Sequence, residues 1–185
     1  IRGSEHIPAG PALIAGKHQS FWETFALLPL LDDPAMVLKK ELTYIPFFGW
    51  FIHKFRMIAV ERSAGSAALR HLISAAEQRI AEGRQVVIMP EGTRRAPEDP
   101  PDYKPGAAAL YTKLAVPCVP FALNSGLFWP RRKVLRFPGT IILEFLPVIP
   151  PGLGRREFQA RLEAEIEAAT AKLVAEGWAA AVLNK

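Results

Sequence analysis

Cysteine is nearly absent from this chain. The single Cys118 lies inside the apolar run 116–123, so no disulfide framework can form, and no cluster of residues has metal-ligand spacing. Cys118 is expected to be a core residue in a reducing compartment. Long apolar runs are lacking too: the longest near the start, residues 25–31, is far short of the ~20 residues a spanning helix needs, and no signal-peptide pattern occurs. There is no internal repeat and no low-complexity linker, which argues against a solenoid or a tethered multidomain chain. What is present suits one folded domain over residues 1–185, with 50% hydrophobic and 22% charged residues supplying a core. The formal charge of +5 and pI near 9.6 point to an anionic partner: nucleic acid, a phosphorylated small molecule or an acidic membrane surface. Nucleic acid fits poorly, because the aromatics sit in apolar rather than basic surroundings and no recognition motif occurs.

The apolar pattern alternates between strand-like and helix-like segments. Residues 12–15, 36–38, 56–62, 85–89, 116–123 and 140–149 read as strands, Glu144 being a charged member of the last. Helices are expected over 20–31, from Ser66 to Gly83 with Leu69, Leu72, Ile73, Ala76 and Ile80 on one face, and over 106–114. A long helix follows Gly152, with Phe158, Leu162, Ile166 and Leu173 aligned and its end expected near Gly177. This alternation predicts a single α/β domain whose central sheet, mostly parallel or mixed, is flanked by helices.

Two polar islands follow buried strands, where open α/β sheets place their sites. The first is Lys17-His18-Gln19-Ser20-Phe21-Trp22-Glu23. Ser20 and Glu23 have the spacing of a capping box. Two readings of Glu23 stand: it completes the box while His18 is a surface loop residue, or it holds one ring nitrogen of His18 so that the other is free to take a proton. His6, His53 and His71 have no such neighbour. The second island is Pro90-Glu91-Gly92-Thr93-Arg94-Arg95, where Gly92 lets backbone approach a ligand and Arg94 suits a charge-assisted contact with phosphate. Glu91 is either a ligand contact or the partner of a nearby basic side chain.

Together these islands resemble the lysophospholipid acyltransferases of glycerolipid synthesis, in particular the bacterial 1-acyl-sn-glycerol-3-phosphate acyltransferases. Four blocks carry the resemblance over about residues 5–150: His18 to Glu23; Pro46-Phe47-Phe48-Gly49-Trp50 through Val60-Glu61-Arg62; Pro90-Glu91-Gly92-Thr93-Arg94; and Val116-Pro117-Cys118-Val119-Pro120. Glu23 and Glu61 stand where that family usually has Asp. The resemblance implies a glycerolipid acyltransferase-like fold and a catalytic pair of His18 and Glu23. His18 would act as general base on the sn-2 hydroxyl of lysophosphatidic acid, with acyl-CoA or acyl-carrier protein as donor and no metal or other cofactor. It assigns Arg62, Glu91, Gly92, Thr93, Arg94 and Lys39 to acceptor binding. The aromatic stretch 44–55 and residues 127–129 are expected to line an acyl groove or enter a bilayer, core filling being the other reading for Phe47 and Phe55. Phe128 and Trp129 are expected to be exposed and, with Arg131, Arg132 and Lys133, to meet an anionic membrane. A membrane-associating segment is expected ahead of Ile1, and the cytoplasmic face of the inner membrane is the expected location. The alternatives are another lysolipid acceptor or a non-catalytic basic lipid-binding module.

Overall fold

Residues 1–183 are described by the computed structural model, which builds six strands from the apolar segments. They are β1 (Ala12–Gly16), β2 (Pro34–Lys39), β3 (Ile58–Val60), β4 (Gln85–Ile88), β5 (Cys118–Leu123) and β6 (Leu143–Phe145), in the order β3-β2-β4-β1-β5-β6. The first five run parallel and β6 lies antiparallel on β5, so the sheet is mixed, as expected. Parallel strands are covered on both faces, which is why β1, β4 and β5 are uninterrupted buried runs.

Side chains that alternate along β1 divide the core in two. Leu13 and Ala15 join Leu72 and Ala76 of α3 (Gly65–Ala81), Leu110 of α4 (Gly106–Leu114) and Phe158, Leu162 and Ile166 of α6 (Arg155–Leu183). Ala12 and Ile14 face the other way, onto Leu27, Leu31, Phe121 and Phe145. The predicted stripe of α6 is buried at all four positions, and each such side chain contributes roughly 1.5–3 kcal/mol by leaving water.

Several boundaries differ from expectation. The strand expected over 140–149 shortens to Leu143–Phe145. The helix expected over 20–31 is the short α1 (Trp22–Ala26), because residues 27–33 must turn back to start β2 at Pro34. The strand expected over 56–62 shrinks to Ile58–Val60, since Arg56 adopts φ 52° and Arg62 opens a 3-10 turn. Helix α6 does not stop near Gly177. That glycine is a packing residue, where a Cβ would stand 2.6 Å from Leu127 Cδ1 and 3.1 Å from Asn124 Nδ2. The remaining helices are α2 (Phe48–Lys54) and α5 (Ser125–Phe128). Phe47 and Phe55, read as possible core residues, are 84% and 51% exposed at the two ends of α2.

Because β1 to β5 are parallel, their carboxyl ends share one edge of the sheet. In sheet order the loops leaving that edge carry Arg62, Lys39, the turn 90–94, the segment 17–23 and Asn124-Ser125. Blocks far apart in sequence therefore become neighbours.

Candidate active site

His18 leaves β1 two residues after its end, and its Nδ1 lies 2.9 Å from Glu23 Oε1. An ionised carboxylate only accepts, so Nδ1 carries the hydrogen and Nε2 is left with its lone pair. Glu23 is fully buried while the His18 side chain is 20% exposed, so the pair joins a fixed anchor to a reachable ring. Four further donors surround the carboxylate: Oε1 accepts from the amides of Gln19 (2.7 Å) and Ser20 (2.8 Å), and Oε2 accepts from Ser20 Oγ (2.7 Å) and Ser125 Oγ (2.9 Å). The geometry favours the second reading of Glu23: it holds His18, and of the capping box only the reach back to the Ser20 amide is formed. The N-cap of α1 is Phe21 rather than Ser20, whose Oγ accepts from the Trp22 amide. Burial pushes the Glu23 carboxyl up, but the bonds from His18 and Ser20 outweigh it and hold the group below its ordinary value.

The third block forms a turn rather than a helix start. Gly92 adopts φ 67°, the left-handed region that glycine enters without strain, and the Arg62 guanidinium lies across it, Nη1 donating to its carbonyl. The Arg95 amide donates to the His18 carbonyl at 2.8 Å, tying this turn to the base. The amides of Thr93 and Arg94 and the Arg94 side chain have no hydrogen-bond partner among the described residues. Arg62 is held below its ordinary pKa by burial; so is Arg131, with Arg132 and Arg94 adding to the effect. Cations thus gather around one turn, the field a phosphate requires. Lys39 stands at the end of β2 in a half-exposed pair with Glu41 at 2.9 Å, a weak tie that leaves it available.

Several assignments move. Glu91 is 1% exposed and accepts from Lys17 Nζ at 3.0 Å, which favours the second of its two readings, the partner of a basic side chain. Phe128 is not exposed but 7% accessible, its ring packed where a Cβ on Gly139 would stand. Trp129 is half-buried beneath the Arg136 guanidinium, 4.6 Å from the ring centroid. Arg131 turns inward and donates to the Arg94 carbonyl at 2.8 Å. Only Arg132 and Lys133 remain free on the surface, followed by Val134 and Leu135, which are 94% and 71% exposed.

Sequence reasoning passed over Lys17, Gln19 and Ser125. Gln19 Oε1 accepts from the Gly126 amide at 2.9 Å, and Ser125 reaches Glu23 across 102 residues. The signal for Ser125 was the polar pair Asn124-Ser125 closing the buried run of β5, the same placement that marked the other two islands. No group of three or more His, Cys, Asp or Glu side chains among the described residues is placed to hold a metal ion.

Beside α1 and α2 an apolar groove of about 300 Å³ is lined by Phe25, Leu28, Met36, Leu38, Phe51 and Phe55, among others. Its wall includes Thr24, next in sequence to Glu23, and its size is at the low end of ligand clefts, ~300–1,000 Å³.

The 1-acyl-sn-glycerol-3-phosphate acyltransferase of Pseudomonas aeruginosa is 37% identical over 177 residues, covering 95% of this chain and 68% of that protein. The Saccharomyces cerevisiae protein of the same name is 29% identical over 128 residues, which is 68% of this chain but only 42% of that protein. The crystal structure of the 1-acyl-sn-glycerophosphate (LPA) acyltransferase PlsC from Thermotoga maritima shares the fold, with a TM-score of 0.78 at 24% identity over 93% of this chain and 70% of that one. Residues 1–124, which hold His18, Glu23, Arg62 and the whole third block, match the family model described as Acyltransferase, and the chain belongs to that family.

Proposed function

We propose that the chain moves a fatty acyl group from acyl-CoA or acyl-carrier protein to the sn-2 hydroxyl of lysophosphatidic acid, giving phosphatidic acid. The observation that carries this reading is the buried Glu23 holding His18 beside a turn whose arginine and amides lack partners. His18 Nε2 takes the hydroxyl proton as the oxygen attacks the thioester carbonyl. The tetrahedral intermediate then collapses, the carbon–sulfur bond breaks, and the imidazolium returns its proton to the leaving thiolate. Glu23 stabilises the imidazolium between those transfers. The free amides of the third block are suited to the oxyanion, and Arg94, Arg62 and Lys39 to the phosphate of the acceptor. No covalent enzyme intermediate is needed.

The groove beside α2 suits an acyl chain, being apolar and open. Phe47, held at φ 62° with its ring in solvent, and Trp50 at 58% exposure extend that apolar surface. Arg132, Lys133, Val134 and Leu135 are exposed and suit an anionic membrane; the location that goes with this reading is the cytoplasmic face of the inner membrane. None of the described helices is long and apolar enough to cross a membrane; the contact proposed for these residues is interfacial. The decisive assay supplies labelled acyl-CoA and acyl-carrier protein to the protein with a panel of lysolipids. Transfer to lysophosphatidic acid is expected to exceed transfer to acceptors lacking a terminal phosphate. Equal transfer to all of them, or none, overturns the reading.

A further inference from the structure

Lys17 stands between β1 and His18 with its side chain wholly buried, and acyl transfer as described leaves it without a role. Its ammonium donates to Glu91 Oε1 at 3.0 Å and to Glu167 Oε1 at 2.7 Å, and Tyr103 OH donates to that same Glu167 oxygen at 2.8 Å. Burying an ammonium carries a desolvation penalty that pairing repays only when the geometry is good, and apolar replacements of buried ion pairs are often neutral or stabilising. Packing alone is therefore a poor reason for a lysine here. The placement supplies a better one. Lys17 immediately precedes the base, Glu91 immediately precedes the turn 92–94, and Glu167 lies on α6, outside the residues matched by the family model. One charged atom thus ties together both halves of the site and braces them on the C-terminal helix.

We propose that Lys17 is a positioning residue, whose ammonium, shared by Glu91 and Glu167, sets the distance between His18 and the Gly92–Arg94 turn so that the hydroxyl and phosphate of one acceptor are engaged together. The backbone bond from Arg95 to His18 fixes one end of this span, and the Lys17–Glu91 pair fixes the other. A slackened span has a specific signature. Phosphate held by Arg94 no longer delivers the hydroxyl to His18, so kcat falls and KM for the acceptor rises, while KM for the acyl donor is unmoved. An error of about 1 Å in such positioning costs on the order of 100-fold.

The inference rests on the acyl-transfer reading, so wild-type turnover of lysophosphatidic acid is measured first; its absence sinks both. With turnover established, Lys17→Met, Lys17→Arg and Glu167→Gln are compared in the full chain by initial rates, corrected for folded fraction, and by thermal melting. Lys17→Met is expected to lose about 100-fold in kcat/KM for the acceptor, split between kcat and KM. Lys17→Arg, which keeps the charge, is expected to recover at least a tenth of wild-type kcat/KM. Glu167→Gln leaves the Lys17–Glu91 pair in place and is expected to lose several-fold with little change in melting. If Lys17→Met lowers Tm but leaves both constants within twofold, the lysine serves the fold alone and the proposal fails. Should Lys17→Met not fold, Glu167→Gln decides: unchanged constants overturn the proposal, and a joint change in kcat and acceptor KM at preserved Tm upholds it.

Discussion

At the scale of single residues the site depends on how one carboxylate is held. Every group that hydrogen-bonds Glu23 is a donor, and one of them, Ser125 Oγ, comes from the start of α5, 102 residues away. His18 carries little of this structure beyond its bond to Glu23, since its ring is partly exposed. His18→Ala is expected to lower transfer by ~10²–10⁴-fold while melting within a few degrees of wild type. Retention of more than about a tenth of the rate would show that His18 is not the base.

At the scale of elements, the loop after α5 does two jobs that one stretch of basic residues conceals. Arg131 props the third block through the Arg94 carbonyl, whereas Arg132 and Lys133 face solvent. Neutralising Arg132 and Lys133 together is expected to weaken binding to anionic vesicles by roughly 30-fold, at ~1 kcal/mol per charge, most clearly at low salt, with activity on detergent-dispersed substrate unchanged. Arg131→Ala is expected to do the reverse, losing activity in detergent while vesicle binding falls no more than fivefold. Vesicle sedimentation and rate assays on the same preparations separate the two. Helix α6 offers a second test at Gly177. Alanine there gains ~1 kcal/mol of helix propensity but forces Leu127 and Asn124 aside, and overpacking costs ~1–3 kcal/mol. Leu127 can give way at its methyl end, but Asn124 is held by its bond to the Leu173 carbonyl at 3.2 Å. Gly177→Ala is therefore expected to lower stability by about 1 kcal/mol in denaturant titration, and a gain would show that the helix clears this contact freely.

At the scale of the molecule, stability in acid follows from which carboxylates fold into better surroundings than water. Glu41, Glu61, Glu82, Asp102 and Glu176 are all held below their ordinary values by hydrogen bonds from basic partners, but they sit at the surface, where solvent screens the gain. Glu23 is held low in the interior, so its share survives screening. A lowered folded pKa stabilises above the ordinary carboxylate value of 4.5 and is lost as pH falls through the folded value. Melting temperature is expected to drop as pH is taken below 4.5, and Ser125→Ala, which removes one donor to Glu23 and so brings its folded value closer to 4.5, is expected to lower stability at neutral pH and make that acid drop shallower. Equally deep drops in the two proteins would show that Glu23 does not govern acid stability.

Much of this architecture follows from local pattern. Uninterrupted apolar runs specify β1, β4 and β5, the apolar spacing specifies α3, α4 and the buried face of α6, and the His18–Glu23 and Gly92–Arg94 islands are visible because polar residues directly after such runs are unusual. Local pattern could not say that Phe128 is buried and Phe47 exposed, since both are aromatics beside turn residues and only the surrounding chain covers one of them. Nor could it tell Arg131 from Arg132, where the difference is whether a carbonyl lies within reach. Lys17, Ser125 and Glu167 belong to the site only because parallel pairing puts β4 and β5 on either side of β1 and packs α6 against the sheet. Residue type and spacing carry chemistry within a turn or two of chain, whereas the pairing of charges 74 and 150 residues apart is decided by strand order and by the packing of α6 on the sheet.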